Sequence, residues 1–390
     1  MIETYDIIVI GAGPAGCQTI LHLADRGLRL LLLDQAAFPR WKPCAGGISC
    51  KAADLLPDFA RDEFETEIWG AHFLFGPERR SSLRSGRLLG WMVRRESFDR
   101  AFFDRVKALP GVTVRTGARV RRVEENGDCV LVHAGQSSFR ASAVVGADGA
   151  NSVTSRAVPG HDAREMAMAL EYIVRPAKRF DELDGMLLFD FGAVKSGYAW
   201  IFPKRDEWSV GAYVASLPYR MLERDLRQFC KSSPFLQGAE ILRRKGHLGP
   251  RGGSRRTLNT RRIILVGDAA DLNDPLTGEG IYYALESGRL AAKFLRGFIA
   301  DGTLLDGYSQ RVMKDIVFYL KRARSMASLL NTHTRAAFNL LLKNRVVCQK
   351  FLDVLAGRIT YRQMARQVLT SAPRFLLNMR FGKQVELQLD

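Results

Sequence analysis

The chain has 390 residues, an apolar fraction of 47% and a formal net charge of +17. That is enough for two domains, or one domain with insertions, around a sizeable core. No apolar run approaches the roughly 18 residues needed to span a bilayer, and no basic-then-apolar leader precedes the first strand, so no signal peptide is expected. The six cysteines, Cys17, Cys44, Cys50, Cys129, Cys230 and Cys348, form no C-x-x-C pair. This spacing predicts reduced thiols in a cytoplasmic setting and no zinc or other metal site.

Tyr5–Ile10 is a short apolar run of the kind found in buried parallel strands. Gly11, Gly13 and Gly16 follow in G-x-G-x-x-G spacing, with Pro14 and Ala15 opening a helix that Gly27 can cap. Leu28–Leu33 is a second strand. It ends at Asp34 and Gln35, and Asp34 stands 18 residues past Gly16. Gly11 permits the tight turn, Gly13 the approach of a pyrophosphate and Gly16 close helix–strand packing. The helix N-terminus faces the anion, and Asp34 is placed for an adenosine ribose. The pattern predicts a dinucleotide site.

The loop 36–49, rich in Pro, Gly and Cys, lies at the carboxyl end of that sheet, where ligands bind. Arg40 and Lys42 are placed to meet phosphate or flavin there, and their charge favours a reactive thiolate at Cys44. Residues 68–89 read as strands of an inserted sheet. Residues 92–106 read as a helix burying Phe98, Ala101, Phe102 and Val106, with Arg95 able to reach back to the cofactor. Residues 112–116, 118–124 and 129–134 read as a small antiparallel sheet. Residues 143–152 return to the buried-strand pattern.

Segments 166–174, 186–191, 197–202 and 208–214 predict a second, mostly antiparallel sheet, and 217–231 and 235–241 predict helices. Residues 263–268 form a further buried strand ending in Asp268. After the loop 269–280, a helix is expected over 281–300. Residues 307–390 read as helices, apolar and basic by turns. Residues 311–390 carry 15 Lys and Arg against 4 Asp and Glu. Such a surplus suits an anionic membrane surface or phosphorylated ligands. No nucleic-acid module is recognised.

Three separated motifs name the dinucleotide. The glycine turn, Gly146-Ala147-Asp148-Gly149 followed by Asn151-Ser152, and Gly267-Asp268 followed by Pro275 together resemble the p-hydroxybenzoate hydroxylase superfamily of FAD-dependent oxidoreductases. The resemblance spans residues 1–300. It assigns Asp268 to the ribityl chain and lays Pro275, Gly278, Glu279, Gly280 and Ile281 beside the isoalloxazine. A helix N-terminus after Gly280 would stabilise charge gained there on reduction. Phe38-Pro39-Arg40 with Lys42-Pro43-Cys44-Ala45-Gly46-Gly47 resembles the PCxGG loop of the geranylgeranyl reductase family. Gly197-Tyr198-Ala199-Trp200-Ile201-Phe202-Pro203-Lys204 resembles that family's YxWxFPK motif, and Arg95-Glu96-Ser97-Phe98-Asp99 its RxxFD segment.

These resemblances imply an α/β fold: a discontinuous Rossmann-type FAD-binding domain (1–67, 90–160, 255–306), a substrate-binding β-sheet domain (68–89, 161–254) and a basic helical C-terminal region (307–390). FAD would contact Arg95, Cys44 to Gly47, Val120, Asp148 and Gly149 besides the residues above. Tyr198, Trp200, Phe202 and Pro203 would meet an apolar substrate, since alternate strand residues share a face. Two departures concern the substrate. Asp271 puts a carboxylate near the expected flavin face, and Ala45 stands where a third glycine is common.

The activity implied is hydride transfer from reduced FAD to a carbon–carbon double bond of a polyprenyl lipid, diphosphate or quinone side chain. Cys44, a water or a tyrosine would supply the proton, with catalysis centred on Cys44, Tyr198 and Trp200. The electron donor would be NAD(P)H or a reduced protein carrier, and the basic C-terminal helices would rest against the membrane holding the substrate. The alternatives are an oxygen-activating hydroxylase or halogenase acting on an aromatic, and an FAD-binding maturation or partner protein.

Overall fold

The computed structural model describes residues 2–24, 27–76, 80–161, 165–215, 218–332, 338 and 344–368. The expectations for residues 369–390 therefore lie outside the described residues.

Five parallel strands form the spine of the first sheet. In spatial order they are Val112–Arg115, Leu30–Leu33, Glu3–Ile10, Ser137–Gly146 and Ile263–Leu265. Ile7, Ile8, Val9 and Leu30 to Leu33 are fully buried, as strands covered on both faces must be. Gly11, at φ 105°, turns the chain out of the first strand. A Cβ at Gly16 would stand 1.9 Å from the Gly11 carbonyl oxygen, so only glycine lets helix Pro14–Leu21 pack there.

The segments 112–116, 118–124 and 129–134 do not make a separate small sheet. Helix Arg95–Lys107 precedes Val112–Arg115 and supplies the crossover that a parallel partner requires. Val120–Asn126 and Cys129–Ala134 form a hairpin on the antiparallel flank of Ser137–Gly146, in the same sheet.

The second sheet has seven strands in the order Glu240–Pro250, Met166–Arg175, Trp208–Val214, Gly197–Pro203, Met186–Asp190, Gly70–Leu74 and Arg80–Arg84. All its pairings are antiparallel except Met186–Asp190 with Gly70–Leu74. Helix Tyr219–Ser232 packs on one face through Leu222, Leu226 and Phe229. The helix expected at 235–241 is instead one 3-10 turn, Pro234–Leu236, ended by Gly238 at φ 71° and followed by the edge strand. That strand is largely solvent-facing on both sides, so it carries no apolar alternation to announce it.

The long helix Ile281–Asp301 covers the first sheet and is capped by Gly302 in the left-handed conformation. Beyond it, Gly307–Val312 leads through a π-turn, Met313–Val317, into helix Phe318–Thr332. Helix Arg345–Leu355 returns to the second sheet, where Phe351 meets Phe73 edge-on at 5.7 Å. No described helix is long and apolar enough to cross a membrane.

Candidate active site

One cavity of about 1520 Å³ runs from the glycine turn to the aromatic face of the second sheet. Gly11, Gly13, Pro14, Ala15, Asp34, Gln35, Arg40, the stretch Cys44 to Gly47, Arg95, Val120, Asp148 and Gly149 line it. So do Gly267, Asp268, Gly278, Glu279, Gly280, Ile281, Tyr198, Trp200 and Phe202. Gly16, Pro203 and Pro275 are not among the lining residues. Gly16 serves packing, and Pro203 is buried opposite Trp208 in the sheet register.

At the nucleotide end, Asp34 accepts from the Ala12 N–H at 2.7 Å and the Ala36 N–H at 2.8 Å. Its carboxylate thus braces the turn it follows. A Cβ at Gly13 would meet only Arg40 Nη2, at 3.6 Å, so a glycine N-cap and a guanidinium flank one open space. Arg40 is held by Asp99 at 3.1 Å, and Asp99 also takes a forked pair of bonds from Arg95 at 2.8 and 2.9 Å. Burial alone would lower the Arg95 pKa; its Asp99 and Cys44 partners reverse this and raise it. Asp148 accepts from Ser152 Oγ and the Val153 and Thr154 N–H groups, which fixes the turn after Gly146.

At the ring end, Asp268 pairs with Lys42 at 3.5 Å. Beside it Asn273, 9% exposed, donates Nδ2 to the Pro250 carbonyl, while its Oδ1 has no partner among the described residues. A Cβ at Gly280 would stand 3.5 Å from that Oδ1 and 3.6 Å from Asp268 Oδ1. Two acceptors therefore converge where the helix Ile281–Asp301 begins. A polyol chain with hydroxyl donors fits them, as FAD's ribityl chain provides. The loop 275–280 is folded around Asp274, whose Oδ1 accepts from the Leu276 and Thr277 N–H groups at 2.9 and 3.0 Å. Glu279 is fixed by Ser49 Oγ at 2.5 Å and Lys51 Nζ at 2.6 Å.

The far wall is aromatic. Tyr198, Trp200 and Phe202 point one way from strand Gly197–Pro203, with successive ring centroids 6.3 and 6.1 Å apart. Phe189 and Tyr213 extend the wall from neighbouring strands. The Tyr198 hydroxyl donates to the Thr277 carbonyl at 2.7 Å, and burial pushes its pKa up.

Several lining residues carried no local signal in the sequence: Glu171, Asn273, Asp274, Tyr283 and, from the C-terminal region, Tyr361. Asp271 corrects an expectation. It does not approach the cavity lining; 1% exposed and at φ 62°, it accepts from the Gly252, Ser254 and Arg255 N–H groups. The carboxylate that directly follows the pair Ala269-Ala270 turns inward, where its left-handed backbone brings it against that loop.

The family model described as lycopene cyclase protein matches residues 6–360. A digeranylgeranylglycerophospholipid reductase from Methanosphaerula palustris is 30% identical over 316 residues, covering 75% of this chain and 76% of its own. A geranylgeranyl diphosphate reductase from Rhodobacter capsulatus is 29% identical over 311 residues, covering 77% of this chain and 78% of its own. Among solved structures, a geranylgeranyl bacteriochlorophyll reductase-like protein from Thermoplasma acidophilum superposes with a TM-score of 0.79 at 20% identity, over 95% of this chain and 100% of that one. The chain therefore belongs to the lycopene cyclase protein family and is, within it, an FAD-dependent oxidoreductase of geranylgeranyl reductase type.

Proposed function

We propose that the protein saturates carbon–carbon double bonds of an isoprenoid carried on a lipid, diphosphate or quinone head. What supports this reading most is a single observation: the aromatic wall of Tyr198, Trp200 and Phe202 and the Cys44 loop border the same cavity as the three flavin motifs. In this reading Gly11, Gly13 and Arg40 hold the pyrophosphate, Asp34 the ribose, and Asp268 with Asn273 the ribityl chain. FAD held by these residues, with NAD(P)H or a protein carrier as electron donor, would supply the hydride. The chain's own residues do the rest. The rings bury a prenyl segment and exclude water, at about 25 cal/mol per Å² of apolar surface covered. Cys44, with its thiol against Arg95, supplies the proton, and the Tyr198 hydroxyl is donated to the Thr277 carbonyl. The division of labour follows the two sheets: the first carries the cofactor and the second the substrate.

The relatives named for a glycerophospholipid and for a diphosphate support a prenylated substrate with a phosphate-bearing head. The exposed aromatic and basic residues of helix Phe318–Thr332 support contact with an anionic membrane. The deciding experiment is anaerobic. Dithionite-reduced protein is mixed with geranylgeranyl diphosphate or a digeranylgeranyl glycerophospholipid, the flavin absorbance is followed, and the lipid is weighed by mass spectrometry. The expected result is flavin reoxidation with a gain of about 2 Da per double bond reduced. Reoxidation only by oxygen, with the lipid mass unchanged, rejects the reading.

A further inference from the structure

Strand Met166–Arg175, the second from one edge of the second sheet, carries a buried carboxylate at Glu171. Glu171 is 2% exposed and lines the cavity. Its Oε2 accepts from the Cys44 backbone N–H at 2.9 Å, and its Oε1 accepts from Ser209 Oγ at 2.6 Å. Ser209, fully buried, in turn accepts from the Trp200 indole N–H at 2.9 Å. One relay therefore joins the loop bearing Cys44 to the aromatic wall bearing Trp200, through residues 127 and 38 positions apart in the chain.

We infer that Glu171 is a positioning residue, which holds Cys44 and Trp200 in fixed relation across the cavity so that proton source and prenyl chain meet the same face of the cofactor. This rests on the reading of the protein as a prenyl reductase.

Donor and acceptor counting explains why a carboxylate is needed. A serine hydroxyl has one proton; having accepted from Trp200, it donates to Glu171. The peptide N–H of Cys44 is a second donor. A side chain with two acceptor oxygens and no donor takes both protons, one on each oxygen. Glutamine, of nearly the same shape, either turns its NH₂ toward the Cys44 N–H or takes the acceptor from the buried Ser209 hydroxyl proton. Burial pushes the Glu171 carboxyl up, and the buried Lys204, the Ser209 hydroxyl and the Cys44 N–H oppose that rise. Lys204 is the last residue of the aromatic motif, so that motif supplies both the wall and the counter-charge of its anchor.

The test uses full-length FAD-loaded protein and the variants Glu171→Gln, Ser209→Ala and Ser209→Thr. The first readout needs no substrate: the rate at which iodoacetamide alkylates Cys44, followed by peptide mass spectrometry. The second is the kcat and KM for the prenyl substrate, and flavin content is measured throughout. Glu171→Gln is expected to keep its FAD, to change the Cys44 alkylation rate several-fold and to lower kcat at least tenfold with a smaller change in KM. Ser209→Ala is expected to move both readouts in the same direction by less, and Ser209→Thr, which keeps the hydroxyl, to restore them. Wild-type alkylation and kcat in Glu171→Gln overturn the inference, as does activity lost only in proportion to FAD. If Glu171→Gln does not fold, the serine pair decides, since an unchanged Cys44 rate in Ser209→Ala overturns the relay. A wild-type protein inert to prenyl substrates rejects the functional reading alone, because the alkylation rates still report on the relay.

Discussion

The Tyr361 hydroxyl donates to Asp274 Oδ2 at 2.8 Å, in a buried contact between the C-terminal region and the loop that precedes the long helix. Asp274 spends its other oxygen on the Leu276 and Thr277 N–H groups, and Tyr198 grips the Thr277 carbonyl from the substrate side. The loop 275–280 is thus clamped between the aromatic strand and Tyr361. Burial beside Asp274 pushes the Tyr361 pKa well up, so the phenol remains a donor throughout the working range.

Tyr361→Phe removes the donor and leaves the ring. The expected cost is about 1 kcal/mol of stability, with FAD bound several-fold more weakly because the loop is less well held. Thermal melts with and without FAD, and a flavin-fluorescence titration, check this. An unchanged FAD affinity alongside the expected stability loss would show that the contact braces the fold and not the cofactor site.

A second expectation concerns Gly211, which pairs with Trp200 in the sheet register. A Cβ there would lie 2.3 Å from Trp200 Cζ2 and 2.5 Å from the Leu170 carbonyl oxygen. Gly211→Ala must displace the indole or the strand, at about 1–3 kcal/mol. The variant should fold with a lower urea midpoint, retain FAD, and turn over a prenyl substrate markedly more slowly. Wild-type turnover in a folded Gly211→Ala protein would mean that the indole's position does not matter to the substrate.

These two cases mark what the sequence made legible. The glycine turn and the aromatic strand are local patterns, in which residues two to five apart share a physical task, so their roles can be read in a line. The contacts of Glu171, Asn273 and Tyr361 are between segments, and nothing beside Glu171 in the chain reveals that Cys44 and Ser209 will be its partners. Asp271 was misread for a related reason. Its distance along the chain from Asp268 is small, but a left-handed residue turns the side chain away from the cavity. The strand Glu240–Pro250 was missed because an edge strand wet on both faces need not alternate.

His247 gives a pH expectation. Burial and the nearby charge of Lys42 push its pKa down from the usual 6.5 to about 4, with Asp268 opposing and Arg95 and Lys245 adding to the fall. The folded state therefore binds the proton less well than the unfolded chain. The stability this leaves is whole above about pH 6.5 and is lost as pH falls toward 4. Unfolding free energies of FAD-free protein from urea titrations should decline through that window, and those of His247→Gln, neutral at every pH, should decline less, by on the order of 3 kcal/mol. Parallel curves for the two proteins would show that His247 titrates normally.

The last expectation concerns the membrane. On helix Phe318–Thr332, Phe318 is 47% exposed and Leu329 60%, and with Arg322 and Ser325 they fall at helical spacing on one stripe. Arg322 lies over the Phe318 ring at 3.4 Å, and Lys314 and Tyr319 beside the stripe also line the cavity, which puts it at the cavity rim. Exposed rings among cations suit an anionic interface, where apolar insertion and charge attraction add. The protein should co-sediment with vesicles containing anionic phospholipid, less so as salt screens the charges. A Phe318→Ser, Leu329→Ser double variant should bind several-fold more weakly while reducing a short, soluble prenyl substrate at the wild-type rate. Equal binding to neutral and anionic vesicles would remove the electrostatic half of this reading, and undiminished binding by the double variant would remove the other half.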